Sequence, residues 1–104
     1  MKKSKAVLAV KFRTTHSAEQ WAKTCEQDLD AFRNVPGLLQ KYYIAEGSTG
    51  SVGGIYLFES QQAREAFWNS ALAKSVPSRY AAVLETLRIE QYDIDITMND
   101  VVAA

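Results

Sequence analysis

The sequence predicts a single domain of α+β class, and three observations support this prediction. Segments in which apolar and polar residues alternate indicate β-strands, whereas two other segments repeat apolar residues at helical spacing. These segments follow one another in the order strand, helix, strand, strand, helix, strand. The chain has 104 residues, 47% hydrophobic and 23% charged, which is the size and composition of one globular domain.

The first strand is predicted at residues 5–13, where apolar residues occupy every second position. A helix follows from Ser17, because a serine followed three residues later by Gln20 is a capping box. Its buried face is predicted from apolar residues at spacings of four, four and three, namely Trp21, Cys25, Leu29 and Phe32. The helix is expected to end before the breaker pair Pro36-Gly37.

The remaining strands are predicted at residues 38–46, 52–59 and 83–93, with a hairpin loop at 47–51. A second helix is predicted at 61–72. Pro77 is expected to begin a short helical turn that ends at Ala82, since proline suits the first helical position. This order is the ferredoxin-like βαββαβ arrangement, with a four-stranded antiparallel sheet and both helices on one face. The tail, residues 94–104, has no clear period.

The face of the sheet away from the helices is predicted to be apolar too. Ile55 and Leu57 alternate with Tyr56 and Phe58, so both sides of this strand are apolar. Because soluble monomers rarely expose large apolar patches, we expect the outer faces of two copies to pack together in a homodimer. In the alternative, Tyr43, Tyr56 and the tail shield that face within one chain. The tail could also cross to the partner subunit.

Charge and cysteine content argue against several classes of protein. Twelve basic and twelve acidic residues give zero formal net charge, and the cluster Lys2, Lys3, Lys5 is too short to bind nucleic acid. The apolar stretches are too short to span a membrane, and residues 1–10 lack a secretory signal pattern. The single cysteine, Cys25, cannot form an internal disulfide, which indicates a cytoplasmic protein.

Two segments resemble a known family. Residues 36–41 (PGLLQK) and 53–58 (GGIYLF) together resemble the YdhR-like mono-oxygenase family, and the resemblance spans residues 36–95. It implies a dimeric α+β barrel. The wider superfamily includes cofactor-free oxygenases of aromatic phenols, haem-degrading enzymes, lactone isomerases and stress-response proteins. The resemblance therefore implies the fold more directly than any one reaction.

A cofactor-free oxygenase needs a base, a group that stabilises the substrate anion and a dry aromatic pocket. His16, the only histidine, is the candidate base, although a solvated loop histidine is the alternative. Arg88 is the candidate cation, and pairing with Glu90 or another carboxylate is its alternative. Lys41 is open to the same two interpretations and is placed among the substrate-binding candidates.

Aromatic side chains supply candidates for the pocket wall. Trp21, Tyr42, Tyr43, Tyr56 and Trp68 are the residues considered, and core packing is the alternative for Trp21. No cofactor is expected. One histidine and one cysteine do not make a structural zinc site, and the glycines from Gly47 to Gly54 lead into a strand, so they form a turn rather than a phosphate loop. Haem degradation is disfavoured because the second helix has Trp68 and Asn69 but no histidine.

Three hypotheses follow from the sequence. The first is a cofactor-independent mono-oxygenase acting on a small phenol-like or quinol-like aromatic molecule. The second is a non-catalytic dimeric barrel that binds or sequesters a hydrophobic small molecule, and the third is a dimerisation module without an enclosed cavity.

Overall fold

The computed structural model describes residues 5–98. Its elements in chain order are β1 (Ala6–Arg13), α1 (Ala18–Arg33), β2 (Leu38–Glu46), β3 (Ser51–Phe58), α2 (Gln61–Trp68), α3 (Ala71–Arg79) and β4 (Arg88–Asp93). Within this part of the chain, no helix combines the length and the apolar character needed to cross a membrane.

The four strands form one antiparallel sheet in the order β2-β3-β1-β4. The first strand is central, with Leu8 opposite Tyr56 of β3 on one side and Gln91 of β4 on the other. The hairpin partners β2 and β3 extend the sheet on one side, and the last strand closes the other edge. This order confirms the predicted ferredoxin-like α+β fold.

The first helix begins where the sequence predicts. The Ser17 hydroxyl accepts a hydrogen bond from the backbone N–H of Gln20 at 3.1 Å, which satisfies one of the free donors of the first turn. The capping box also predicted a hydrogen bond from the backbone N–H of Ser17 to the Gln20 side chain. That part of the prediction is wrong, because the Gln20 side chain donates to Thr24 Oγ1 at 3.2 Å instead. Beyond the helix, Gly37 has a φ of +76°, a conformation that favours glycine.

The predicted second helix, residues 61–72, is in fact two short helices. The first ends at Trp68 with Asn69 as its C-cap, and Ser70 caps the second, because its hydroxyl accepts from the N–H of Ala73 at 3.2 Å. Pro77 lies inside α3, so the prediction that it begins a turn is wrong. A serine that is followed by good helix formers can start a new helix even without a proline or glycine break.

The last strand begins later than predicted, at Arg88 rather than at residue 83. Residues Leu84–Thr86 form a 3₁₀ turn that is bonded to the end of β1. Val83 donates its N–H to the Arg13 carbonyl at 2.8 Å, and the N–H of Arg13 donates to Thr86 Oγ1 at 2.8 Å. Because these bonds satisfy the edge of β1, residues 83–87 need not continue the ladder.

The core lies between the sheet and the helices. The largest fully buried side chains are Leu8, Phe12, Asp28, Phe58 and Tyr80. Phe67 of α2 packs against Tyr56 with ring centroids 5.1 Å apart, and against Phe32 of α1 at 6.1 Å. Every second residue of β1 and β3 therefore faces the helices, as the alternation predicted.

The outer face of the sheet is partly open to solvent. Val7, Ala9, Ile55 and Leu57 are half-buried, and the Tyr42 side chain is 43% exposed. Tyr43 and Tyr56 lie on the helix side, so the interpretation that they shield the outer face is wrong. Of the tail, Ile96 and Met98 are 85% and 90% exposed, and residues 99–104 lie outside the described part of the chain.

Candidate functional site

The register of the hairpin places Lys41 on the helix side of the sheet. Lys41 of β2 lies opposite Tyr56 of β3, and its side chain runs across the neighbouring Gly54. A Cβ atom at position 54 would lie 3.0 Å from Lys41 Cε, so a glycine leaves the space that the lysine side chain fills. The glycine pair in the middle of the strand thus has a packing role at this site.

Aromatic rings surround the Lys41 amine. Its Nζ lies 3.3 Å from the ring centroid of Phe32, 4.1 Å from that of Tyr43 and 4.6 Å from that of Tyr56. Tyr80 is the next ring, at 5.9 Å. We call Lys41 and these four rings the lysine cage. Ring faces attract a cation, but they replace its hydration shell only in part.

The caged amine has no acidic partner in the described part of the chain. The ion pairs found there are Lys11–Glu46, Arg33–Asp30, Arg64–Asp93 and Arg79–Asp28. Burial therefore acts on Lys41 without a compensating carboxylate, and it lowers the pKa of the amine to about 7. At neutral pH a large fraction of Lys41 is uncharged, and an uncharged amine can act as a base or a nucleophile.

A buried carboxylate holds one wall of the cage. Asp28 of α1 is 2% exposed and accepts a hydrogen bond from the Tyr80 hydroxyl at 2.6 Å. Its other oxygen pairs with the Arg79 guanidinium. Because the Tyr80 hydroxyl donates its proton in the hydrogen bond to Asp28, the Tyr80 ring is held in place as one wall of the cage. The hydroxyl is therefore not free to protonate a bound molecule. Burial also raises the pKa of Tyr80.

The Tyr43 hydroxyl is the one buried side-chain polar atom, among the described residues, without a hydrogen-bond partner. Burial raises the pKa of Tyr43, and the nearby Tyr80 hydroxyl offsets part of that shift, although no hydrogen bond of good geometry joins the two hydroxyls. An unpartnered buried hydroxyl costs free energy unless a ligand or water satisfies it. Tyr43 is therefore suited to donate a hydrogen bond to a bound molecule.

A groove leads along the cage between α1 and β2. It has a volume of about 270 Å³, near the lower end of the range for small-molecule pockets. Phe32, Lys41 and Tyr43 belong to both the cage and the groove wall, and Leu29 and Leu38 extend the apolar lining. The groove therefore adjoins the cage through these three shared residues. Residues 5–98 contain no group of three His, Cys, Asp or Glu side chains suited to a metal ion.

The structure brings together four of the six candidates for substrate binding, which were Lys41 and five aromatic residues. Lys41, Tyr43 and Tyr56 are in the cage, and Trp21 packs on it with its ring 5.2 Å from that of Tyr80. Tyr42 lies on the outer face of the sheet. Trp68 lines a separate space of about 30 Å³ beside Phe67 and Leu87. Within one chain, neither Tyr42 nor Trp68 reaches the cage.

The two predicted catalytic residues lie away from the cage. His16 is in the β1–α1 connection, and its Nε2 is 3.1 Å from the Arg79 carbonyl oxygen. A carbonyl only accepts, so Nε2 is the donor in this hydrogen bond. Arg88 pairs in register with Lys11 and lies on the outer side of the sheet. Their catalytic roles stay predictions that the cage does not require.

Asp28 and Tyr80 belong to the site but were not among the residues that the sequence patterns singled out. Asp28 follows Cys25 by three residues and precedes Phe32 by four, so it stands on the buried face of the helix. An acid at a core-facing position is a signal of a paired carboxylate, and it was available from the spacing alone. Tyr80 carried no comparable signal, because it comes to the cage only through the path of α3.

These features define a ferredoxin-like α+β protein with a buried lysine between sheet and helices and a groove beside it. The chain belongs to the family described as "Putative mono-oxygenase ydhR", whose model matches residues 7–103. No curated protein matches the sequence.

Solved structures share the fold at low sequence identity. The NE2512 protein of unknown function from Nitrosomonas europaea is 16% identical with a TM-score of 0.71, over 100% of this chain and 99% of that one. A monooxygenase from the gene ActVA-Orf6 of Streptomyces coelicolor, in complex with Nanaomycin D, is 20% identical with a TM-score of 0.66, over 94% of each chain. SnoaB, a cofactor-independent oxygenase from Streptomyces nogalater, is 9% identical with a TM-score of 0.64, over 93% of this chain and 97% of that one.

The low pKa of Lys41 gives a testable dependence of stability on pH. The unfolded chain holds the Lys41 proton up to a pKa of about 10.4, and the folded chain loses it at about 7. Unfolding thus takes up a proton in this window, and the free energy of unfolding rises with pH. Between pH 7 and 9, we expect the free energy of unfolding of wild type to rise by about 2 kcal/mol more than that of Lys41→Met. Urea unfolding at both pH values measures this gain, with the exposed Lys23→Met as control. An equal gain in wild type and Lys41→Met would contradict the shift.

Proposed function

We propose that the chain is a cofactor-independent mono-oxygenase that acts on a small phenol-like or quinol-like aromatic substrate. The observation that carries the proposal is the buried Lys41 amine, which lacks a carboxylate partner among the described residues and belongs to a residue that lines a groove of mixed apolar and polar side chains. The substrate lies in the groove with its acidic hydroxyl or methylene toward this amine.

Substrate deprotonation is the first step. Uncharged Lys41 takes the proton, and the ammonium that forms is held beside the substrate anion in a site with little water. The anion passes one electron to molecular oxygen, and the two radicals combine to a hydroperoxide. Loss of water leaves a new carbonyl on the substrate. One oxygen atom thus enters the product and the other leaves as water, so the substrate supplies all the electrons.

The other cage residues orient the substrate and exclude water. Phe32 and Tyr56 offer ring faces and edges against which an aromatic substrate packs. Tyr43 donates its free hydroxyl proton to a substrate oxygen. Asp28 and Arg79 act only through Tyr80, whose position they fix.

Relatives support the proposal by analogy. The family description names a mono-oxygenase, ActVA-Orf6 is called a monooxygenase in complex with Nanaomycin D, and SnoaB is called a cofactor-independent oxygenase. At such low identity, the two structures argue for the fold, and the reaction and substrate class are our proposal for this chain.

Oxygen uptake tests the proposal. Purified protein is mixed with anthrones, naphthols and flavonoids in an oxygen electrode, and we expect one class to consume one oxygen molecule per molecule of substrate. The panel would count against the proposal if no compound reacted faster than in buffer. Thermal stabilisation by the same compounds without turnover would instead favour a protein that binds hydrophobic small molecules.

We also propose that the chain forms a homodimer through the outer face of its sheet, in the cytoplasm, where a free buried thiol such as Cys25 is suited to reducing conditions. The apolar, partly exposed residues Val7, Ala9, Ile55 and Leu57 support the self-association. A second copy related by a two-fold axis would cover them.

Sedimentation measures this assembly. We expect wild type to be a dimer at micromolar concentration and Ile55→Glu to be a monomer, because the charge would lie unpaired in the interface. Leu84→Glu is the matched control, since Leu84 is 65% exposed and lies outside the sheet. A wild-type chain that sediments as a monomer would contradict the proposal.

A further inference from the structure

The caged amine has a chemical capacity that oxygenation does not use. A proton acceptor and a carbonyl nucleophile are the same species, an uncharged amine with an accessible lone pair. Lys41 is the only described lysine enclosed by rings, and its Nζ stands within 5 Å of the centroids of Phe32, Tyr43 and Tyr56. Of the other described lysines, Lys23 and Lys74 are exposed, and Lys5 and Lys11 are half-buried.

We propose that Lys41 is a carbonyl-capture site, where the amine forms a reversible imine with a small apolar aldehyde, preferably an aromatic one, that enters through the groove. The inference uses the amine of the proposed function but not its oxygen chemistry. Geometry carries it, because amine, groove and a free hydroxyl donor adjoin one another.

The reaction balances without any other reactant. The lone pair of Lys41 Nζ attacks the carbonyl carbon, and the carbonyl oxygen takes up a proton to give a carbinolamine. Loss of water then gives the imine, so an amine and an aldehyde become an imine and water with no change in oxidation state. The Tyr43 hydroxyl, which has no partner among the described residues, is placed to donate to the departing oxygen.

The groove explains the preference for an aromatic ring beside the carbonyl. Leu29 and Phe32 on the helix side and Leu38 and Tyr43 on the strand side offer apolar faces for a ring, and the lining also includes polar side chains that accommodate the carbonyl group. Its volume of about 270 Å³ admits a molecule of one or two rings. Arg33 stands at the same groove but is exposed and paired with Asp30, so a carboxylate on the aldehyde would gain little there.

The low pKa of Lys41 makes the capture selective. At pH 7 the caged amine is largely uncharged, whereas an exposed lysine with a pKa of about 10.4 is uncharged in well under one molecule in a thousand. A lower pKa also reduces intrinsic nucleophilicity, so the selectivity is smaller than the ratio of the uncharged fractions. We expect Lys41 to react at least about ten-fold faster than any described surface lysine at pH 7.

Reductive trapping tests the inference. The folded protein is treated at pH 7 with benzaldehyde and sodium cyanoborohydride, which reduces an imine to a stable secondary amine, and peptide mass mapping locates the benzyl groups. We expect one fast addition at Lys41, a shift to slower labelling below pH 6, and no fast addition in Lys41→Met or Lys41→Arg. Lys23→Met is the control and should keep the fast addition.

Two outcomes would overturn the inference. One is labelling that is spread evenly over the surface lysines, and the other is a folded wild type in which Lys41 stays unlabelled. Circular dichroism of each variant separates loss of the amine from loss of the fold. The oxygenase proposal fails separately, since wild type that is trapped at Lys41 yet consumes no oxygen refutes only that proposal. Conversely, wild type that oxidises quinols but is not trapped at Lys41 refutes only the proposal of an imine.

Discussion

Replacing Lys41 by methionine is expected to lower kcat/KM for the quinol-like substrate by roughly 100-fold to 10,000-fold, the usual contribution of a general base. Methionine keeps the length and most of the volume of the side chain, so the packing of Phe32 and Tyr56 around it is preserved. What disappears is the lone pair that accepts the substrate proton. The oxygen electrode and the absorbance of the quinone product measure the loss.

An arginine at the same position distinguishes the two roles of the amine. Arginine stays charged and cannot accept a proton, so Lys41→Arg keeps a cation for the substrate anion but loses the base. We expect Lys41→Arg to be as inactive as Lys41→Met, and the exposed Lys23→Met to match wild type. An active Lys41→Arg variant would show that the positive charge is sufficient and that Lys41 is no base.

The pH dependence of kcat/KM is an independent test of the role of Lys41. The base works only when it is uncharged, so kcat/KM of wild type should rise with pH and level off above about 7, the pKa of Lys41. A profile without a step near that pH would contradict the assignment of Lys41 as the base. His16→Asn is the variant to compare, because a step that this variant keeps does not belong to His16.

Local patterns predicted most of the fold. The alternation in β1 gave its two faces, and Ser17 with the apolar stripe gave the start and the buried side of α1. Errors arose where one element ends and the next begins. Ser70 caps α3 directly after Asn69, the C-cap of α2, and the bonds of Arg13 to Val83 and Thr86 replace a continued strand. Such choices depend on contacts between distant residues.

The site was harder to predict because it depends on register and packing. Lys41 was a candidate, but a local pattern does not reveal that Phe32 of α1 lies 3.3 Å from its amine. Arg88 has the parity that the sequence suggested, with Glu90 and Tyr92. That parity faces outward, because Ile89 pairs with Val10 and therefore points to the helices. A pattern of alternation gives two faces without saying which one the helices cover.

The burial of Lys41 in the cage has opposite effects on the stability of the folded chain and on the reactivity of the amine. Burying Lys41 without a carboxylate destabilises the folded chain at neutral pH, and the same burial keeps the amine reactive. Asp28, the carboxylate that contacts the cage in the described part of the chain, is bonded to Tyr80 and Arg79 instead of Lys41. An acid paired directly with the lysine would raise its pKa and remove the base. Asp28 therefore supports the site by holding Tyr80 in place without pairing with Lys41.

Removing that carboxylate should have the largest effect on stability that we expect from a polar substitution. We expect Asp28→Ala to lower the free energy of unfolding by roughly 2–4 kcal/mol, because it leaves the buried Tyr80 hydroxyl without an acceptor and Arg79 without its partner. Asp28→Asn keeps an acceptor for Tyr80 and should lose less. Urea unfolding of each variant measures the difference.

Asp30→Ala is the matched control on the same helix. Asp30 also pairs with an arginine, Arg33, but its side chain is 89% exposed, and such surface pairs contribute about 0–1 kcal/mol. If Asp28→Ala cost no more than Asp30→Ala, the buried pair would not hold Tyr80 in place. The fourth ring of the cage would then be free to move, and the Tyr43 hydroxyl would lose the fixed neighbour that keeps it directed toward a bound molecule.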